Sequence, residues 1–320
     1  MSVGNAASPK PTSLGLPARG ERRGPFVARG QWLRDAPVAW LLLFPVLILF
    51  GIAVVFPLID TIRLSFYDIK GLAPAKYIGI GNYTKLFADP AFRHTLQTTL
   101  VFTLGTTIIA VGVGWIIAML CAFAPRQTMP FRVMIFSAFG VSEAVTGYMW
   151  ITMLRPDSGG LVNSVIRLFG FPDFAQPWLG DPNTALGALI VAAAWGAAGL
   201  PLMLCFASVQ AIPRNLVEAA YMDGARPLAI MRHIMAPLSL PGVRVATFIT
   251  LLNALRAFDV IYVLTGGGPV RSTETVGYFM YRESMTQFKL GYGAAATVIL
   301  LVAVLVVSIP AIIQRTAEAK

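Results

Sequence analysis

The sequence is poor in charged residues and in side chains that build disulfide or metal sites. Only 12% of its 320 residues are Asp, Glu, Lys or Arg, about half the share in an average soluble domain. Two cysteines, Cys121 and Cys205, and two histidines, His94 and His233, give neither a disulfide framework nor a metal cluster. A soluble chain of this length would need more polar material on its surface. The composition therefore excludes an ordinary soluble domain.

The sequence also lacks a nucleotide-binding loop. A Walker loop needs a GK[ST] sequence that opens a helix, because its lysine must reach the phosphates. No lysine in this chain is followed by serine or threonine. The glycines of Thr265–Pro269 are better explained as a flexible outer turn than as a phosphate cradle. We therefore expect neither a cofactor nor a metal on this chain.

Long apolar segments are what the sequence has in abundance, since 56% of its residues are hydrophobic. Residues 38–59 carry no charge, and about 20 apolar residues suffice to cross a hydrocarbon layer about 30 Å thick. The sequence thus predicts an all-α polytopic membrane protein with six transmembrane helices. These spans are expected near residues 38–62, 95–123, 130–154, 184–209, 241–264 and 292–313.

Basic residues predict the orientation of these spans. The net charge of +10 does not indicate nucleic-acid binding, because the basic residues form no stripe with interleaved aromatics. Six of them lie in residues 1–35, which are rich in Pro, Gly and Ser and are expected to form a disordered cytoplasmic tail. Because basic residues favour the cytoplasmic side, we predict that both termini of the membrane domain (residues 36–316) lie inside.

Two charged residues lie within predicted spans, Glu143 in the third and Arg256 in the fifth. Both spans begin at the predicted cytoplasmic side, so the two residues fall at similar depths. A lone charge there costs at least about 2.5–3.5 kcal/mol on insertion scales, and such groups usually face each other or a polar cavity. Two interpretations stay open: a structural ion pair, or groups that line a substrate path and hydrogen-bond to sugar hydroxyls.

The segment between the fourth and fifth predicted spans has the pattern of a helix-turn-helix. Pro213 can start a helix, and Gly224 can end it in the left-handed conformation. A second helix is expected from Ala225 until Pro237 and Pro241 stop it. Its apolar face would be formed by Leu228, Met231, Ile234 and Met235. Such an element is either an amphipathic loop resting in the lipid headgroups or a docking element for a soluble partner.

Residue identities in this segment resemble the EAA motif of ABC importer permeases. The matching residues are Glu218, Ala219, Ala220, Asp223, Gly224, Ile234 and Pro237. Ala236 departs from the motif, which has leucine there. Gly81–Tyr83, Phe258–Asp259 and Gly291–Gly293 resemble the carbohydrate-uptake branch, of the maltose and glycerol-3-phosphate type. The resemblance extends over residues 38–313.

The resemblance implies a transport subunit, and no enzyme, in the bacterial inner membrane. It implies that residues 213–241 form a loop that inserts into a cytoplasmic ATPase, while the chain supplies half of the translocation pore. The implied partners are a second homologous permease, two ABC ATPase subunits that use ATP and Mg, a solute-binding protein outside the membrane, and membrane lipid. No nucleic acid is implied, and the carried solute would be a sugar, a polyol or a sugar phosphate.

Substrate contacts are also implied by the resemblance, on the fourth and fifth spans. The fourth-span contacts surround a tryptophan that matches Trp195 and fall on Ala193, Gly196, Ala197 and Leu200. The fifth-span contacts fall on Thr250, Ala254 and Ala257. Most of these residues are small or apolar, so the detailed maltose contacts do not carry over. Our substrate-path candidates are Glu143, Trp195, Gly196, Leu200, Thr250, Asn253 and Arg256. Trp195 either stacks on a sugar ring or packs within the protein.

Two other function classes stay open on the sequence alone. A secondary carrier would transport its solute without an ATPase. A polytopic enzyme acting on lipid-linked sugars would need carboxylates or metal ligands clustered at one membrane face. The acidic residues Asp68, Asp157, Asp173 and Asp181 are instead scattered over two predicted outer loops.

Overall fold

The computed structural model describes residues 29–71, 73–157 and 159–318, with side chains described between residues 40 and 309. Helices dominate the described part of the chain. By length and composition, four of these helices can cross a membrane. Two further spans result if two pairs of shorter helices, each separated by a sharp bend, are each counted as one span, which gives up to six. The all-α class and a multi-pass membrane protein are thereby confirmed.

The first apolar segment is a helix that begins earlier than predicted. Helix α1 (Arg29–Phe50) continues through a π-helical turn into α2 (Phe56–Leu64). Residues 1–28 of the predicted tail lie outside the described residues. Residues 29–35, however, are helical, because the stretch from Gln31 to Ala36 contains no glycine or proline to stop the helix.

A short antiparallel pair and a long helix follow. These elements are β1 (Tyr67–Asp68), β2 (Lys76–Tyr77), α3 (Gly81–Ala88) and α4 (Pro90–Ala122). Helix α4 starts five residues before its predicted boundary. Asp89 caps it by accepting a hydrogen bond from the backbone N–H of Ala91, and Pro90 suits a first helical turn.

The third and fourth predicted spans are each broken. The elements here are α5 (Met129–Phe139), α6 (Glu143–Met153), α7 (Leu161–Leu168), α8 (Pro182–Ala197) and α9 (Gly199–Gln210). The bend is 103° between α5 and α6, and 51° between α8 and α9. Gly199 lets the second break approach the first, because a Cβ there would lie 2.9 Å from Cβ of Phe139.

The helix-turn-helix is present, but its second helix does not stop at the prolines. The elements are α10 (Arg214–Met222), α11 (Pro227–Ile230), a π-helical turn (Met231–Met235), α12 (Ala236–Leu255) and α13 (Asp259–Leu264). The helix from Pro227 to Leu255 is continuous over 29 residues, so the predicted ends at Pro237 and Pro241 are wrong. The wide π turn just before Pro237 leaves room for the proline ring that a regular α-turn would crowd.

The last elements pack against one another and, through the first of them, against α4, the central helix of the bundle. They are α14 (Val276–Tyr281), a π-helical turn (Arg282–Thr286) and α15 (Leu290–Glu318). Helix α4 contacts α8, α9 and α12, and a Cβ on Gly114 would lie 2.8 Å from the backbone N of Leu202 in α9. The small residue therefore sets how closely these two helices approach.

A buried carboxylate fixes the loop between α13 and α15 to this core. Glu274 is 1% exposed, and its two oxygens lie 2.7 Å from Nε of Arg271 and 2.7 Å from Nε of Arg282. The Thr95 hydroxyl of α4 donates to the same carboxylate over 3.4 Å. The sequence analysis did not anticipate this cluster.

Glu274→Gln is expected to destabilise the protein, because it removes the counter-charge of Arg271 and one of the two carboxylates that Arg282 contacts. Breaking a fully buried pair by removing one partner typically costs about 3–5 kcal/mol, and we expect a smaller loss here because Arg271 is partly exposed and Arg282 keeps Glu283. Thermal unfolding in detergent, followed by tryptophan fluorescence, measures the change. The matched control is Asp157→Asn, whose partner Arg155 is exposed and which should leave the unfolding temperature unchanged. Equal unfolding temperatures for the two variants would contradict the assigned role of Glu274.

Candidate functional site

Three helix breaks meet at one cavity. They lie at residues 140–142 between α5 and α6, at Ala198 between α8 and α9, and at residues 256–258 between α12 and α13. The cavity has a volume of about 120 Å³, and residues from both sides of each break line it. Irregular backbone at membrane depth is tolerated only where protein or a polar cavity covers it. The breaks and the cavity are therefore one feature.

The cavity wall combines polar groups with apolar surface. Thr106 is 3% exposed, and its hydroxyl has no hydrogen-bond partner among the described residues. The other polar lining residues are Glu143, Thr146, Thr250 and Asn253, and the larger apolar ones are Phe102, Phe139, Leu200 and Val260. Leaving a buried hydroxyl unsatisfied costs about 1–3 kcal/mol. The wall therefore favours a polar ligand that also carries apolar faces.

Most of the predicted substrate-path residues come together here. Five of the seven candidates line the cavity, namely Glu143, Gly196, Leu200, Thr250 and Asn253. The other positions that the resemblance assigned to substrate also line it, namely Ala193, Ala197, Ala254 and Ala257. Their role in binding stays a prediction.

The two intramembrane charges do not form the direct pair that was one of two interpretations. Among the ion pairs of the described residues, none joins Glu143 to Arg256. Nη2 of Arg256 instead donates to Oδ1 of Asn253 over 2.9 Å. Glu143 opens α6 beside the backbone N–H of Val260, near Asp259. Each charge therefore lies at a helix break, where free backbone groups are available to it.

Trp195 lies outside the cavity lining. Its ring packs against that of Trp150 with a centroid distance of 6.2 Å and an interplanar angle of 72°. Edge-to-face pairs of this kind stabilise helix packing. Of the two interpretations of Trp195, the geometry favours packing.

The bend after α10 depends on one glycine. Gly224 has a φ of +77°, its N–H donates to the Tyr221 carbonyl over 3.0 Å, and the Ala225 N–H donates to the Ala220 carbonyl over 2.9 Å. This pair of bonds is a Schellman motif, which ends a helix through a left-handed residue. A Cβ on Gly224 would meet no atom within 4 Å. The glycine is therefore required by its backbone conformation and not by crowding.

The motif residues divide into an outer and an inner set. Glu218, Ala219, Asp223, Gly224 and Pro237 are exposed. Ala220 and Ile234 are half-buried against a cluster formed by Met119, Val209, Ile212, Ile230 and Met235. The predicted apolar face is wrong at Leu228, which is exposed, and Ile230 is buried in its stead. Two residues of helix turn the side chain by about 200°, so Leu228 faces away from the cluster.

This inner cluster connects the bent helix pair, α10 and α11, to the ends of α4 and α9. Nε1 of Trp115 in α4 donates to Oγ of Ser239 in α12 over 2.9 Å, and the Ser208 hydroxyl of α9 donates to the Ser239 carbonyl over 3.2 Å. From Pro227 the helix runs on to the cavity residues Thr250 and Asn253, over about 35–40 Å at 1.5 Å per residue. The bent pair and the cavity are thus linked by one continuous helix.

Thr106 and Thr146 are cavity residues that the sequence analysis missed. A signal for the first was present in α4, whose buried threonines recur along one side of an otherwise apolar helix. They are Thr95, Thr98, Thr99, Thr103, Thr106 and Thr107. A polar row inside a membrane helix indicates the side that faces other protein or a cavity.

The family model for the binding-protein-dependent transport system inner membrane component matches residues 36–316. The chain belongs to this family. It is 34% identical to a probable ABC transporter permease protein of Pyrococcus horikoshii, over 86% of this chain and 94% of that protein. It is 32% identical to the sulfoquinovosyl glycerol transport system permease protein SmoG of Agrobacterium fabrum, over 88% and 91%. The resemblance to ABC permeases of the carbohydrate-uptake type is confirmed.

Two further comparisons agree with the family. The sn-glycerol-3-phosphate transport system permease protein UgpA of Brucella suis is 32% identical, over 83% of this chain and 90% of that protein. Among solved structures, a chain of a bacterial ABC transporter involved in the import of alginate superposes with a TM-score of 0.76 at 21% identity. The superposition covers 91% of this chain and 99% of that one, so the two share their fold.

Proposed function

We propose that this chain is one permease subunit of an ATP-driven, binding-protein-dependent importer of a sugar, polyol or sugar phosphate, in the bacterial inner membrane. It forms half of the translocation pore. One observation carries the proposal: a single helix joins an exposed, bent helix pair to a cavity built from three broken helices. A force on the pair reaches the cavity through that helix, as alternating access by rigid-body motion requires.

The bent helix pair couples the chain to an ATPase subunit in this proposal. Its outer set offers Glu218 and Asp223 to basic or backbone donors, and Met222 and Tyr221 present exposed apolar surface. Grooves on soluble partners accept amphipathic helices of this kind. ATP and Mg belong to the two ATPase subunits, because this sequence holds no Walker loop.

The remaining parts of the assembly follow from this placement. Helices α5 and α6 together count as one span, and so do α8 and α9. This gives six spans, with both termini in the cytoplasm. A second, homologous permease supplies the other half of the pore. A solute-binding protein delivers the solute from outside, and in this proposal the loops around α13 and α14 face it.

The solute is a polyhydroxylated molecule. The cavity offers a threonine hydroxyl without a partner among the described residues, a carboxylate and an amide beside aromatic and aliphatic surface, a combination that suits hydroxyl groups on a carbon skeleton. The relatives named for sulfoquinovosyl glycerol and sn-glycerol-3-phosphate transport support this class.

Reconstitution tests the proposal against its rival, a secondary carrier. Proteoliposomes would contain this chain together with the second permease, the ATPase and the binding protein encoded beside its gene. Uptake of labelled maltose, trehalose and sn-glycerol-3-phosphate would then be measured. We expect uptake that requires ATP and every component. Uptake by this chain alone, driven by an ion gradient, would establish the carrier and end the proposal.

Glu143→Gln is expected to raise the KM of uptake about tenfold, because a hydrogen bond to a charged group contributes roughly 1.5–3 kcal/mol. Arg256→Met should have a smaller effect, since Arg256 does not line the cavity and its hydrogen bond to the wall is to Asn253. Initial uptake rates over a range of solute concentrations measure both. If both variants assemble and transport like wild type at every concentration, neither residue serves the cavity.

A further inference from the structure

Four aromatic rings gather beside the third helix break, and we call them the aromatic platform: Phe258, Tyr262, Tyr278 and Tyr281. The Phe258 ring stacks on Tyr262 with a centroid distance of 5.5 Å and an interplanar angle of 25°. It stacks on Tyr278 over 6.4 Å at 21°, and Tyr281 closes the group at 5.2 Å from Phe258. All four rings contact one another, which makes one continuous surface.

The platform differs from the aromatic pairs of the core in its exposure. Phe92 and Phe279, whose centroids are 5.1 Å apart, are both fully buried. Tyr262 is 47% exposed, although three rings surround it. The rings thus hold each other in place and leave one of them open to a ligand.

The platform adjoins the wall of the cavity. Phe258 follows directly on Ala257, which lines the cavity, and Val260 lies between the platform residues Phe258 and Tyr262 and also lines it. Helix α13 starts at the break, and Tyr262 lies two residues beyond Val260, the last cavity residue along the chain. Under the proposed orientation, a solute from outside passes this surface on its way in.

Flat, partly exposed aromatic surface suits the apolar face of a sugar ring, where several C–H groups point the same way. Neighbouring phenol hydroxyls can bond the ring's hydroxyl groups at its edge. An acyclic phosphate ester has no such face. We propose that the aromatic platform is an outer binding site for the pyranose ring of the solute, occupied before the solute enters the cavity. This inference rests on the proposed function of carbohydrate uptake.

Variants at Tyr262 test the stacking in the complete transporter. Tyr262→Leu should lower kcat/KM for maltose or trehalose, whichever is taken up, by about three- to tenfold, since aromatic stacking contributes about 0.5–1.5 kcal/mol. Tyr262→Phe keeps the ring and should stay within about twofold of wild type. Tyr148→Leu is the matched control, because Tyr148 on α6 is exposed and its ring forms no aromatic pair with the four platform rings.

Thiol protection tests binding apart from transport. The native cysteines Cys121 and Cys205 are buried, so the thiol introduced by Tyr262→Cys should be labelled selectively by a maleimide. We expect the transported pyranose to slow this labelling and sn-glycerol-3-phosphate not to. A thiol that stays unreactive in the assembled transporter would show that the partner permease covers the platform and would overturn the inference.

The outcomes separate this inference from the proposed function. Carbohydrate uptake that requires the chain but is unchanged by Tyr262→Leu, with no protection of the thiol, overturns the platform and leaves the proposed function intact. If no carbohydrate uptake requires the chain, both are overturned.

Discussion

Gly224→Val is expected to abolish both co-purification of the ATPase and ATP-driven uptake while the membrane helices stay folded. The native φ of +77° costs a β-branched residue more than the roughly 1–2 kcal/mol that the left-handed region costs other residues. The backbone will therefore leave this conformation, and the Schellman bonds to Tyr221 and Ala220 will be lost. The direction of α10 relative to α11 then changes, so the outer set of motif residues no longer presents one surface.

A graded series makes this prediction sharper. Gly224→Asn should retain part of the coupling, because asparagine tolerates the left-handed conformation better than valine. Gly187→Val is the matched control, since Gly187 also has no atom within 4 Å of an added Cβ but lies in helix α8 with an ordinary φ. Affinity co-purification and ATP-driven uptake measure the effect, and thermal unfolding checks the fold. Normal ATPase binding by Gly224→Val would contradict the role given to this bend.

Ala197→Phe is expected to reduce uptake by at least about a hundredfold at every solute concentration. Ala197 lines the cavity at the end of α8, beside the break at Ala198. The cavity measures about 120 Å³, and a benzene ring occupies an engineered cavity of roughly 150 Å³. The new ring would therefore fill the space that the solute needs, and a higher solute concentration would not restore it.

The fold and the ATPase contact should survive this change, since the ring enters existing space rather than a packed core. Val191→Phe, six residues earlier on α8 and exposed, is the control and should transport normally. Uptake assays combined with ATPase co-purification separate a blocked path from a misfolded subunit. Wild-type uptake by Ala197→Phe would show that the solute does not pass through this cavity.

The parts of the molecule that local sequence determines were predictable. Gly224 signals a helix end because few other residues adopt its φ, and the bend it predicts is present. The length of each apolar run likewise located five of the six candidate spans, but the fifth was wrong: it was predicted at residues 241–264, and the helix there is Pro227–Leu255. The substrate positions came from family resemblance, and the structure gathers most of them around one cavity.

Features that depend on several segments were not predictable. Hydropathy averages over a window, so the breaks at Gly140 and Ala198 are hidden inside apolar runs. The π-helical turn that lets the helix continue through Pro237 reflects the backbone of a whole segment and not one residue. Thr95 contacts Glu274 although 179 positions separate them in the sequence, and the hydrophobic periodicity of a segment does not reveal contacts with distant segments.

Crosslinking from the tip of the bent helix pair tests most directly whether this chain receives force from an ATPase. Met222 is 87% exposed next to Asp223, and the native cysteines are buried. In the assembled transporter the thiol introduced by Met222→Cys should crosslink to the ATPase and, in intact cells, resist a membrane-impermeant maleimide. A thiol that is labelled from outside the cell, or that crosslinks to no ATPase in any nucleotide state, would contradict this mechanism.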